Sequence, residues 1–170
     1  MSKPRILVIS GSMGAGKTTV MGEASDLLTA RQIQHAAIDL DLVHLPLLPE
    51  PLSRHVHLRN LTAIAKNCRD AGIDRFLLAL VIETRDVLAD LRMAFSADAI
   101  TIARLVAPLE TMAARLRVRD PGIRQQEFVD RSRTLEGILT AAALEDFTVP
   151  NDRRSVTDVA QELLERAGWI

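Results

Sequence analysis

One cysteine, Cys68, stands in 170 residues. An intrachain disulfide is excluded, and a reducing cytosol is the expected compartment. Cys68 falls on the apolar face of a helical pattern, so it reads as a small core residue rather than a reactive thiol. No apolar run approaches the ~20 residues that cross a bilayer. The apolar run after the basic start is too short for a signal peptide. An excess of charge of one sign is also missing. The net charge is −1, which gives no argument for nucleic acid or an anionic membrane as partner. Internal repeats and low-complexity tracts are absent.

What is present fits one ordinary globular domain over residues 1–170. Apolar residues make up 48% and charged residues 25%, a balance that supports a sizeable core rather than disorder. The expected assembly is a monomer or a homodimer.

The stretch Gly11-Ser12-Met13-Gly14-Ala15-Gly16-Lys17-Thr18 matches G-x-x-x-x-G-K-[ST], a phosphate-binding loop. Ile6 to Ile9 before it has the apolar character of a buried parallel strand, and Thr18 to Arg31 after it reads as a helix. A polyphosphate needs many donors at close range. Glycines let the chain curl so that successive N–H groups point inward. The next helix adds unpaired N–H groups and the positive end of its dipole. Lys17 supplies a mobile charge for the outer phosphates, and the Thr18 hydroxyl is placed for Mg²⁺. Residues 11–18, with Thr19 in the first helical turn, are the candidate nucleotide-binding set. No N-K-x-D segment is present to read guanine, so ATP is the expected nucleotide.

Beyond the loop, strands and helices alternate. Strands are expected at 35–39, 75–83, 99–106 and 147–149. Helices are expected at 86–95, from Pro108 to about 118, at 125–144 and after Ser155. Three prolines make 42–52 a loop or broken helix. Ser53 is a candidate N-cap for a helix carrying Leu58, Leu61, Ile64, Ala65 and Cys68. Trp169-Ile170 is expected to fold back on the core. Such alternation calls for a parallel sheet with helices on both faces. Ligands then bind beyond the carboxyl ends of the strands, here at Ser10, Asp39, Glu83, Val106 and Val149.

Asp39-Leu40-Asp41 follows the second strand. Phosphoryl transfer needs Mg²⁺ held in place and an acceptor oxygen relieved of its proton. Asp41 is the candidate acceptor-orienting base. Asp39 is the candidate for metal waters or for orienting Lys17. The alternative is that Asp39 caps a turn and Asp41 the next helix. Glu83 is either a second metal-side acid or a solvated strand end. Arg85 and His44 are candidates for an acceptor pocket, and His55, His57 and Arg59 border the same mouth. Arg115, Arg117, Arg119, Arg124, Arg131 and Arg133 surround the Pro121-Gly122 break. A segment of about 115–131 could close over ATP as a lid, neutralising the transferred phosphoryl group and excluding water. Otherwise its arginines pair with Asp120, Glu127 and Asp130 on a solvated face.

These motifs resemble the small kinases of the nucleoside monophosphate kinase class, among them gluconate kinase, shikimate kinase, adenylylsulfate kinase and chloramphenicol phosphotransferase. Asp39-Leu40-Asp41-Leu42-Val43-His44 is similar to the D-G-D-x-L-H stretch of gluconate kinase, with Leu40 in place of glycine. The resemblance implies a P-loop NTPase sandwich of three layers, its five parallel strands in the order 2-3-1-4-5. It implies that Asp41 contacts the acceptor hydroxyl, that Arg115 lies against adenine or phosphate and that Arg119 approaches the phosphates. Val149-Pro150-Asn151-Asp152-Arg153 is similar to the turn near the adenine pocket of these kinases, which makes Arg153 a candidate nucleotide contact. The stretch 42–59 matches no acceptor signature.

The expectation is therefore an ATP- and Mg²⁺-dependent kinase acting on a hydroxyl of a small molecule. In it Lys17, Asp39, Asp41 and Arg119 are the catalytic candidates, and Thr18 and Asp39 the metal candidates. Two alternatives stand beside it: a nucleotide kinase with a phosphate acceptor, for which Arg54, Arg59 and Arg85 are candidates, and a non-catalytic nucleotide-binding regulator.

Overall fold

The computed structural model describes residues 3–43 and 48–170. Strand β1 (Arg5–Ser10) runs into helix α1 (Lys17–Ala30), followed by β2 (Ala36–Asp39), a 3₁₀ turn at Leu40–Leu42 and α2 (Leu52–Asp70). Then come β3 (Arg75–Ala79), α3 (Arg85–Phe95), β4 (Ile100–Val106), α4 (Leu109–Arg119), α5 (Gln125–Ala142), β5 (Phe147–Pro150) and α6 (Val156–Arg166). The strands form one parallel sheet in the order β2-β3-β1-β4-β5.

Alternation along β1 divides the core. Leu7 and Ile9 face α1 and α6 and join Leu28, Val159, Leu163 and Trp169. Ile6 and Val8 face the other way and join Leu61, Leu91 and Phe95 of α2 and α3. Successive strand residues point to opposite faces, so a strand covered on both sides must be apolar throughout. This is why β1 and β3 read as unbroken hydrophobic runs. Trp169 does return to the core, with the Arg5 guanidinium donating to Gly168 O at 2.8 Å. Cys68 is half-buried against the α2–α3 layer.

Two expected boundaries move. The third strand ends at Ala79 rather than Glu83. Its partners leave it there: Ala79 pairs with Ile9 and with Asp39, after which β1 enters the glycine loop and β2 enters its 3₁₀ turn. The continuation is held singly instead, by Leu80 N to Ile9 O at 3.2 Å and Ile82 N to the Ser10 hydroxyl at 3.1 Å. Ser53 does not cap α2. Pro51 holds the N-cap position and Ser53 is buried in the first turn. Pro46 and His44 lie outside the described residues, so the broken stretch before α2 is traced only in part.

Helices α4 and α5 pack on each other around Ala113, Leu116 and Val129, a small cluster separate from the two main layers. Met112 of α4 reaches the main core, while α5 is tied to the sheet by a polar contact. Arg104 of β4 is only 5% exposed, yet it donates to Glu136 at 2.5 Å and to Thr140 at 2.9 Å in α5, and to Glu145 at 3.1 Å. A buried guanidinium is tolerated here because carboxylates accept from it on two sides.

Candidate active site

The carboxyl ends of β1, β2 and β3 and the start of α1 open onto a cavity of about 980 Å³. That lies at the upper end of the range for small-molecule sites. It is lined by Gly14, Gly16, Lys17, Thr18, Thr19, Asp39, Asp41, Glu83, Arg115, Arg119 and Arg131, with Met13, Leu42, Val81, Leu116, Asp120 and Leu135.

At two of its glycines the loop is packed too closely for a side chain. A Cβ at Gly14 would stand 2.5 Å from Met112 O, and one at Gly16 2.5 Å from the Asn151 side-chain nitrogen. Both residues also have positive φ, 81° and 98°. Glycine alone meets both demands at no cost. Gly16 is the N-cap of α1, so the helix opens with free N–H groups directed at the cavity, the ordinary setting for an anion.

Lys17 is 8% exposed. Its ammonium donates to Gly11 O at 3.2 Å and Ser12 O at 3.5 Å, and lies 3.5 Å from an Asp41 carboxylate oxygen. Burial lowers its pKa below the ordinary lysine value, opposed by Asp41 and Asp39 and assisted by Arg119. The Thr18 hydroxyl donates to Asp39 at 2.5 Å, and the other Asp39 oxygen accepts the Asp41 N–H at 3.1 Å. Asp39 therefore also caps the 3₁₀ turn, which fulfils one of the structural alternatives for it. The turn separates the two acids: Asp39 meets Thr18, and Asp41 meets Lys17.

Arg115 donates to Asn151 O at 2.8 Å and Gly14 O at 3.4 Å, binding the glycine loop to the end of β5. Arg119 pairs with Asp120 at 2.7 Å. Arg131 donates to both Glu83 oxygens, at 2.9 and 3.0 Å, across the mouth of the cavity. Of the other arginines of the segment, Arg124 pairs with Glu127 and Arg133 with Asp130, and neither lines the cavity, nor does Arg117. Arg153 lies outside it as well, its side chain 94% exposed beside Asp152.

Three contacts were hidden from sequence reading. Ser12 is wholly buried and donates to Ser132 O at 2.7 Å, while the Ser132 hydroxyl donates to Met13 O at 2.8 Å. Asn151 donates to Ala15 O at 2.7 Å. The back of the glycine loop is thus bolted to α5 and to β5, leaving its front free. Asn151 carried a weak signal, as an amide at the carboxyl end of a strand. Ser132, set between two arginines, carried none.

Oxygen donors and positive charge fit the groups the loop motif implies. Among the described residues no three His, Cys, Asp or Glu side chains gather to hold a metal alone. A hydroxyl beside a carboxylate suits Mg²⁺, which keeps several waters and completes its shell with phosphate oxygens. Among the described residues, no helix is long and apolar enough to cross a membrane.

No protein-family model matches the chain, and no curated protein matches it in sequence. Solved structures do match in shape. A gluconokinase from Sinorhizobium meliloti 1021 is 15% identical, with a TM-score of 0.67 over 99% of this chain and 94% of that one. A shikimate kinase from Acinetobacter baumannii in complex with shikimate is 19% identical, with a TM-score of 0.62 over 97% and 93%. The tunicamycin resistance protein of Deinococcus radiodurans is 18% identical, with a TM-score of 0.66 over 99% and 98%. The chain has the α/β, P-loop kinase-like fold of these structures, and its own strands stand in the expected order 2-3-1-4-5.

Proposed function

We propose that the chain is an ATP- and Mg²⁺-dependent kinase that phosphorylates a hydroxyl of a small molecule, its 170 residues acting as one catalytic unit. The observation that carries this reading is the Asp41 carboxylate, 3.5 Å from the Lys17 ammonium at the end of the glycine loop. A base is useful only beside the group that receives the acceptor oxygen, and Lys17 marks the outer phosphates.

In this reading the N–H groups of the loop and of the first turn of α1 hold the triphosphate. Lys17 leaves the Gly11 and Ser12 carbonyls for the outer phosphates. Thr18 and Asp39 hold Mg²⁺, which supplies charge neutralisation on the phosphate oxygens. Arg115 and Arg119 approach the phosphates from α4. The segment 115–131 serves as lid, with Arg131 and Glu83 as its latch. The single half-buried thiol of Cys68 suits a reducing cytosol.

A phosphate acceptor is disfavoured. It would need unspent arginines, but Arg54 is held by Asp90 at 2.7 Å, and Arg59 and Arg85 do not line this cavity. A non-catalytic regulator would have no use for an acceptor base, and Asp41 stands where one is needed, beside Lys17. ATP turnover with and without a pool of hydroxylated metabolites tests the proposal, in wild type and Asp41→Asn. Turnover stimulated by the pool and reduced ~10²–10⁴-fold by the substitution is expected. Equal turnover in all four conditions contradicts it.

A further inference from the structure

Two peptides of the glycine loop are held by their carbonyls from outside the loop. The Ser132 hydroxyl donates to Met13 O at 2.8 Å, and the Asn151 side-chain nitrogen donates to Ala15 O at 2.7 Å. Both holders are buried, Ser132 at 2% and Asn151 at 7% exposed. Both are themselves anchored. Ser132 lies in α5, where Glu136 and Thr140 accept from Arg104 of β4, and Ser132 O accepts from the Ser12 hydroxyl at 2.7 Å. Asn151 follows β5, and its own N–H donates to Val106 O of β4 at 2.8 Å.

Holding a carbonyl also fixes the N–H on the same peptide. The group is planar, and in the trans form C=O and N–H point to opposite sides. Among the described residues the one cis bond is Glu50–Pro51. Met13 O shares its peptide with the Gly14 N–H, and Ala15 O shares its peptide with the Gly16 N–H. With each oxygen turned back towards its holder, each N–H is turned away from it, and Gly14 and Gly16 both line the large cavity. The peptide between them is used differently. The Ala15 N–H donates to Ser12 O at 3.2 Å within the loop, Gly14 O accepts from Arg115 at 3.4 Å, and Ala15 is wholly buried. Donors already aimed at an incoming charge need no reorganisation when it arrives. Glycine leaves the backbone its widest freedom, so Gly14 and Gly16 are where outside holding matters most.

Resting on the triphosphate-binding part of the kinase reading, we propose that Ser132 and Asn151 are positioning residues for phosphate. Neither touches it. Ser132 aims the Gly14 N–H and Asn151 aims the Gly16 N–H, so each sets one donor of the anion site from behind. The correspondence is one to one, which distinguishes it from a general stiffening of the loop.

The test uses the full chain with magnesium tripolyphosphate, which presents phosphates without base or ribose. Affinity is read by calorimetry and the Gly14 and Gly16 amides by NMR, with urea midpoints to establish that each variant is folded. In wild type both amide resonances are expected to move downfield on saturation. Ser132→Ala is expected to shrink the Gly14 displacement and spare Gly16, and Asn151→Ala the reverse. Each should weaken binding about fivefold, the worth of one ordinary hydrogen bond. Ser132→Thr, which keeps the hydroxyl, is expected to recover most of the loss. Unmoved Gly14 and Gly16 amides in saturated wild type overturn the inference, whether or not any variant folds. Folded alanine variants with wild-type affinity, or with both amides disturbed alike, overturn it too. Each of these failures leaves the kinase reading in place. Wild type that binds neither tripolyphosphate nor MgATP removes the kinase reading, and this inference with it.

Discussion

Thr18 and Asp39 meet at 2.5 Å, hydroxyl to carboxylate, although one opens α1 and the other closes β2. The register of the sheet brings them together: β3 lies between β1 and β2 and sets both carboxyl ends at one level. Nothing in the core requires this polar pair at a cavity wall. In the proposed reading its use lies in what it offers a cation. Thr18→Ala and Asp39→Asn are each expected to remove most of the gain in ATP affinity that Mg²⁺ provides, about tenfold, with a smaller change in binding without Mg²⁺. Calorimetric titration of ATP with and without the metal reads the difference. An undiminished Mg²⁺ effect in both variants would remove these residues from the metal site.

Lys17 gives a pH signature. Its folded pKa lies below the ordinary value because burial penalises the ammonium. Between the folded pKa and the unfolded one near ~10.4, the unfolded chain binds more protons, so folding becomes more favourable as pH rises. Below the folded pKa both states are protonated and the penalty is constant. Urea unfolding of wild type and Lys17→Met across this alkaline window should show wild type gaining on the variant. A constant difference between the two proteins would mean that Lys17 carries no desolvation penalty.

Arg104 is expected to hold α5 to the sheet. Removing it by Arg104→Ala leaves Glu136 and Glu145 without their shared cation, a loss of about 3–5 kcal/mol for breaking a buried pair. Arg104→Met, which keeps most of the volume, should cost less when combined with Glu136→Gln. Urea midpoints measure both. A cost for Arg104→Ala below about 1 kcal/mol would place the contact among surface pairs.

The fold was legible in the sequence because its signals are local and repeated. Apolar strands of four to seven residues alternate with helices of helical periodicity, and the glycine loop falls between the first strand and first helix. The sheet order came from resemblance, not from any spacing. The length of the third strand was not legible. Residues 80–82 are as apolar as those before them, and only the departure of β1 and β2 ends the ladder. Ser53 misled for a related reason: a serine before an apolar helical pattern suggests a cap, but the turn at Pro51 starts the helix earlier. At the site, Lys17, Thr18, Asp39 and Asp41 were readable from the motif and from the acids after the second strand. The backing of the loop by Ser132 and Asn151 was not, because those contacts join residues more than a hundred positions apart. Arg115 was found for its charge, while its bonds to the Gly14 and Asn151 carbonyls are a matter of geometry.

Everything attributed to the site depends on the glycine loop gripping a triphosphate through its N–H groups and Lys17. Binding of MgATP to wild type and Lys17→Met, followed by calorimetry on the full chain, addresses this most directly. Saturable binding by wild type, weakened about tenfold or more by the substitution, is the predicted result. Absence of binding by a folded wild type, or equal affinity in the two proteins, would contradict it.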